Sequence, residues 1–322
     1  MSEYILRRLA ISVPVLVLIT AIIFVLLELA PGDPLAAMLA PARGVVAPTE
    51  EYVAELRKTF GLDKPAPVRY LIWLGQVARG NLGASVTTSR PVVQEIRDRL
   101  PATLELMVIS TIMAIAIGVT LGVYSALHQY SFLDYILMAL SFTWVCVPAF
   151  FFALLTIFLF AIHLDWLPAG GFRTVGIEKF SLLDNLKHVI LPAFVLTMGN
   201  LAEYVRFTRA SMLDVMQSDF ATVAKAKGLR VPTIIFRHIL RNALIPIVTR
   251  VGLSVAWLFS GALIVETVFR WPGLGVLMLQ GVMTRDYPLI LGMNLFISVT
   301  VLLSNLITDI AYAFIDPRIR YT

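Results

Sequence analysis

Between Asp219 and Pro246 the chain gathers small, basic and helix-forming residues amid apolar surroundings. The segment opens Asp219-Phe-Ala-Thr-Val-Ala-Lys-Ala-Lys-Gly228-Leu and runs on to His238-Ile-Leu-Arg-Asn-Ala-Leu-Ile-Pro246. Ala221, Ala224 and Gly228 fall at helical spacing, which leaves one helix face almost bare of side chains. A bare face lets a short helix sink into a cleft, and Lys225 and Lys227 flank it with positive charge. The chemistry on offer is docking, not bond-making. The plain alternative is an ordinary cytoplasmic helix kept in place by its Lys and Arg. Spacing alone does not separate the two.

No other segment supplies a catalytic set. A Walker A glycine loop with Lys-Ser/Thr is absent from the sequence, as are His-Glu-x-x-His and Gly-x-Ser-x-Gly. The histidines, at 128, 163, 188 and 238, are scattered. His163 and Asp165 lie close together, but two candidate ligands do not make a metal site, and a polar anchor at a membrane interface accounts for them. No catalytic residue, cofactor site or metal site is therefore expected on this chain.

The elements that hold the docking segment are membrane helices. Of 322 residues, 58% are hydrophobic and only 15% charged, and the mean hydropathy is +0.83. A soluble domain carries about 25% charged residues. The net charge of +5 fits Lys and Arg anchoring cytoplasmic loops, and nucleic acid is not an expected partner. Cys146 stands alone, so the fold depends on helix packing without an internal disulfide.

A bilayer core needs roughly 20 apolar residues in helix. Six segments approach this: Leu9–Ala30, Ala102–Leu127, Tyr135–Leu164, Ile190–Arg206, Ala243–Val265 and Pro288–Phe314. The fourth is the weakest, because Asn200 and Glu203 interrupt it. The first is longer than a signal peptide's apolar core of about 7–15 residues, so it is expected to be retained. Arg7 and Arg8 place the N-terminus inside. Six crossings return the C-terminus inside, in accord with Arg318 and Arg320. The loop after the fourth span, with Arg206, Arg209, Lys225, Lys227, Arg230, Arg237 and Arg241 against Asp214 and Asp219, is then inside too.

The expected fold is an all-α polytopic membrane protein with six spans, both termini cytoplasmic, and a small helical extracytoplasmic segment between spans one and two. Residues 1–30 form the N-terminus and first span, 31–101 the outer segment, 102–314 the core with its inner loop at about 207–243, and 315–322 the tail. In the outer segment Thr49-Glu-Glu resembles a helix start and Gly61 a stop. Pro65-Ala-Pro67 can open a second helix through about Ala78. Val92–Leu100 reads as a short amphipathic helix at the interface.

The inner loop resembles the signature loop of ABC-importer permeases, Glu-Ala-Ala-x-x-x-Gly, in the form used by dipeptide and oligopeptide permeases. Aligned on Gly228, the leading positions here are Thr222, Val223 and Ala224, so the glutamate and first alanine are replaced, as is usual in the peptide subfamily. Further matches are Arg7-Arg8, Pro31-Gly32-Asp33-Pro34, Pro101-Ala-Thr-Leu-Glu105, Thr208-Arg-Ala-Ser-Met-Leu213 and Arg241-Asn-Ala-Leu-Ile-Pro246. Beyond these come Glu266-Thr-Val-Phe-Arg-Trp-Pro-Gly-Leu-Gly275, Arg285-Asp-Tyr-Pro288 and Asp316-Pro-Arg-Ile-Arg320. Each is weak alone. In this order and spacing they closely resemble the first permease of a peptide/nickel-type importer.

The resemblance implies a multi-pass protein of the bacterial cytoplasmic (inner) membrane, in contact with lipid. It implies a coupling helix seated in a groove of a separate ATPase. Two ATPase subunits would carry the ATP and Mg, a second homologous permease would complete the pathway, and an extracytoplasmic binding protein would deliver the substrate. On this reading Ala221, Thr222, Ala224, Ala226 and Gly228 provide contact, and Asp219, Lys225 and Lys227 set the register. Relatives carry dipeptides, oligopeptides, glutathione, nickel and some oligosaccharides, and selectivity rests chiefly with the binding protein. Peptides are the first reading, and the others remain alternatives.

An ionisable residue inside a span is a functional hypothesis by default. Arg250, about two turns into span five, either faces a cavity and meets a peptide carboxylate or snorkels to the cytoplasmic interface. Ser254, Trp257 and Gly261 follow at near-helical spacing. By resemblance this span lines the pathway, with Trp257 as the first choice of gate and a packed tryptophan as the alternative. Asn200, Glu203 and Asn294 rank lower. Ala114, Gly118, Gly122 and Ala126 repeat every four residues in span two, which is a packing stripe for this chain or a second permease. A secondary transporter would need midplane carboxylates and internal repeats. Neither is visible, since Glu28, Glu203 and Asp309 lie toward span ends.

Overall fold

A computed structural model of the chain describes residues 2–30, 63–174, 176 and 181–315. Pro31-Gly32-Asp33-Pro34, the Thr49 helix start, the Gly61 stop and Asp316-Pro-Arg-Ile-Arg320 lie outside these residues. The described elements are helical, and the only strand-like pairing among them is a single bridge between Ala84 and Pro91. They divide into two compact units, Met1–Pro101 with Val276–Leu303, and Ala102–Gly275 with Ser304–Thr322.

Among the described residues, four helices are long and apolar enough to cross a membrane: Tyr4–Leu29, Val92–Leu127, Leu182–Met216 and Tyr287–Ile310. In the first unit α1 (Ser2–Leu29) packs on α2 (Ala66–Val77), which begins where Pro65 and Pro67 were expected to open a helix. Proline costs little there, since the first amides of a helix have no partner in any case. Tyr70 donates its phenol to the carbonyl of Val17 at 2.9 Å, and Arg69 pairs with Glu28 at 2.5 Å. Glu28, near the end of the first span, is thus held by a partner.

The short interfacial helix expected at Val92–Leu100 is instead the beginning of a single helix, α3 (Val92–Leu127), with Pro101 inside it. A proline within a helix removes one hydrogen bond, a loss that neighbouring helices offset in membrane proteins. The expected third span shows the opposite outcome. Its single helix is divided into α4 (Phe132–Cys146) and α5 (Ala149–Thr156), which continues as the π-helical turn Ile157–His163. Val147 takes φ −83° and ψ 123° because the Pro148 ring excludes helical backbone from the residue before it.

The fourth expected span is longer than its apolar core. α6 runs from Leu182 to Met216, started by the Ser181 hydroxyl, which accepts from the Asp184 amide. It buries Val189, Leu196, Met198 and Val205 in the core of the second unit, together with Leu106, Phe152 and Trp271. The small-residue stripe of α3 packs on α6 of the same chain. A Cβ on Gly118 would strike Tyr204, and one on Gly122 would lie 2.6 Å from the Cβ of Thr208. Beyond α6 come α7 (Asp219–Ala226), α8 (Val231–Thr233), the π-helical Ile234–Ile239, α9 (Leu240–Ala243), α10 (Ile245–Val268), α11 (Leu274–Thr284) and α12 (Tyr287–Ile315).

Candidate docking helix and pathway residues

α7 forms where the basic segment predicts a helix, and Asp219 in its first turn suits the positive end of the helix dipole. Its bare face, however, is turned inward. Ala221 and Ala224 are buried in a cluster with Val123, Ala126, Met212, Ile234, Ile239 and Ala243. The expectation that these alanines face a partner is corrected by that packing: their small size lets α7 lie close against its own chain. Asp219, Thr222, Val223, Ala226, Lys227 and Gly228 are exposed, as are the apolar side chains of Leu229, Val231 and Phe236. Lys225 lies on α7, with its side chain outside the described residues.

Gly228 is not part of a bare face either. Its φ is +70° and a Cβ there would meet nothing within 4 Å. Glycine is needed to turn the chain out of the helix in the left-handed region.

Arg250 is paired within its own chain. Its guanidinium grips Glu203 of α6 with two parallel hydrogen bonds, Nε to Oε2 at 2.9 Å and Nη2 to Oε1, and lies 5.7 Å from the centre of the Phe207 ring. Ser254 is buried one turn on, with its hydroxyl donated to the Val251 carbonyl at 2.7 Å. Trp257 and Gly261 lie on α10, and their surroundings fall outside the described residues. Asn200 is buried on α6. Asn294 belongs to the other unit, where its amide donates to the Ile290 carbonyl at 2.8 Å.

Three carboxylates that carry much of the structure had no assigned role from the sequence. Asp134 is clasped by Arg209 and by the Ser125 hydroxyl. Glu266, fully buried, accepts from the Thr103 hydroxyl and the Gly275 amide, each at 2.7 Å. Gly273 and Gly275 close over it because a side chain at either would strike the carboxylate. Asp286 caps α12 through the Leu289 amide and accepts from the Ser85 hydroxyl and Thr87 amide. Two of these stand inside the quoted motifs. The signal at Asp134 and Glu266 is an acid among apolar residues, which has to be paired or hydrogen-bonded, and at Asp286 an acid just before an apolar helix, where it caps the first turn.

Among the described residues, several membrane-length helices with a short helix of a basic segment between two of them describe a membrane-embedded protein. Residues 118–321 match the family described as binding-protein-dependent transport system inner membrane component, and residues 1–107 match its N-terminal region. The chain belongs to this family and is a multi-pass inner-membrane protein. It is 44% identical to a putative peptide permease of Brucella suis and 42% identical to an oligopeptide transport system permease of Bacillus subtilis. It is also 40% identical to a glutathione transport system permease of Pectobacterium atrosepticum. Each match covers 100% of both chains.

Proposed function

We propose that the chain is the permease subunit of an ATP-driven importer of short peptides. The observation that carries this reading is end-to-end similarity to permeases named for peptide, oligopeptide and glutathione transport. Glutathione is itself a peptide, so one alternative substrate falls within the same class. Nickel and oligosaccharides remain outside it.

In this reading the bilayer is crossed six times, the third crossing being α4 with α5 and its π turn, and the fifth being α10. Both termini and α7 then lie in the cytoplasm, as the Lys and Arg of 206–241 favour. α7 docks on an ATPase through its exposed edge, Thr222, Val223, Ala226 and Lys227, with Leu229 and Phe236 extending the apolar contact. Ala221 and Ala224 anchor the helix from behind. ATP and Mg are held by two ATPase partners, a second permease completes the pathway, and a binding protein supplies the peptide from outside. Ser254, Trp257 and Gly261 line the fifth span's side of the pathway, and Asn200 and Asn294 are further polar candidates, each within its own unit.

The test is a gentle detergent pull-down of the chain from its host, with mass spectrometry of what accompanies it, followed by uptake of labelled dialanine into liposomes. Recovery of a homologous permease and ATPases, with uptake that needs ATP, is expected. Recovery of the chain alone with uptake independent of ATP overturns the importer in favour of a secondary carrier.

A further inference from the structure

Glu203 and Arg250 sit inside α6 and α10, where an unpaired charge is expensive and a paired one marks a route for substrate. Their side chains are 34% and 32% exposed. Each side chain is thus only partly covered by this chain. The guanidinium has a second support in the Phe207 ring, which holds a cation in place when its carboxylate is exchanged. Beside the pair, Tyr204 is only 2% exposed, packed with Ala114 and Ile247.

We propose that Glu203 and Arg250 form a subsite for the two termini of a zwitterionic peptide. The peptide α-carboxylate replaces Glu203 on the Arg250 guanidinium, and the freed Glu203 takes the peptide α-ammonium. Every charge stays paired throughout the exchange, so the pair opens without leaving a naked ion between the helices. A ligand with only one of the two charges leaves either Glu203 or Arg250 alone, and is disfavoured. This subsite rests on the peptide reading above and adds to it the part of the peptide that is read.

The test uses the importer purified with its accompanying subunits, reconstituted in liposomes, and three labelled probes: dialanine, its N-acetyl form and its C-terminal amide. Each variant is referred to the parent chain for the same probe, which removes the binding protein's own preference. Arg250→Gln is expected to slow uptake of the two probes with a free carboxylate about tenfold more than that of the amide, the effect of one lost charge-assisted hydrogen bond. Glu203→Gln is expected to slow the two probes with a free ammonium about tenfold more than the N-acetyl form. Equal loss of all three probes in both variants, with full recovery in the double swap Glu203→Arg with Arg250→Glu, reduces the pair to a brace between helices and overturns the proposal. If either glutamine variant fails to assemble, Arg250→Lys and Glu203→Asp are compared in the same way, with the same two readings. Parent chains that take up none of the probes overturn the peptide reading itself, and the subsite with it.

Discussion

Arg209 meets Asp134 fork to fork, Nε to Oδ1 at 3.0 Å and Nη2 to Oδ2 at 2.9 Å. The same carboxylate accepts from the Tyr130 amide at 3.0 Å and from the Ser125 hydroxyl. One side chain thereby ties the end of α3, the start of α4 and the latter half of α6. Tyr130, at φ 62°, is held in a backbone conformation that few residues adopt, and the amide it donates to Asp134 helps to keep it there.

Asp134 is 3% exposed at its side chain, so its removal strands a guanidinium and two further donors. Asp134→Ala is expected to cost about 3–5 kcal/mol, the range for breaking a buried pair from one side. Arg209→Lys is expected to lose a large part of the same, because an ammonium cannot reproduce the planar fork. Thermal unfolding of the detergent-solubilised chain measures both, and an unchanged midpoint in either refutes the joint as described.

Glu266 predicts a second destabilising set. Glu266→Ala leaves the Thr103 hydroxyl and Gly275 amide without an acceptor, at about 1–3 kcal/mol for each group. Gly273→Ala places a methyl where the carboxylate lies and is expected to lower the unfolding midpoint as well. Together they should fall well short of the sum, since both act on one site. A midpoint measured for the double variant checks this.

On the candidate docking helix, the two faces of α7 give opposite expectations. Ala221→Leu overpacks a buried position and should destabilise the chain by about 1–3 kcal/mol. Val223, 52% exposed, tolerates Asp to within about 0.5 kcal/mol, and the loss should appear instead in peptide-stimulated ATP hydrolysis by the assembled importer. Normal stimulation in Val223→Asp removes this edge from the docking surface.

Gly228→Ala introduces no clash and acts through backbone strain alone, about 1–2 kcal/mol at a left-handed position. Gly228→Asn should cost less, since asparagine visits that region more readily. Amide hydrogen exchange across 219–230 is the measurement, with faster exchange expected in the order parent, Asn, Ala.

Much of this architecture was legible in the chain itself. Long apolar runs announced α1, α3 and α12, the proline pair announced α2, and small residues with flanking lysines announced α7. What the sequence did not carry was direction. Ala221 and Ala224 read equally well as facing a partner or facing home, because spacing defines a face and not its neighbour. Proline was equally two-sided: Pro101 lies within a continuous helix while Pro148 ends one. The clasped acids escaped notice because their partners come from far along the chain, 75 residues in the case of Asp134 and 163 for Glu266.

The contact of Gly118 with Tyr204 has a thermodynamic signature of its own. Within a bilayer, neither the joined nor the separated helices present this surface to water, so their association draws on dispersion and close approach rather than on hydration. Heat-capacity change follows hydrated apolar area. The seam between α3 and α6 is therefore expected to separate with almost no heat-capacity increment. Its strength should stay nearly level on cooling, where contacts built on expelled water grow weaker.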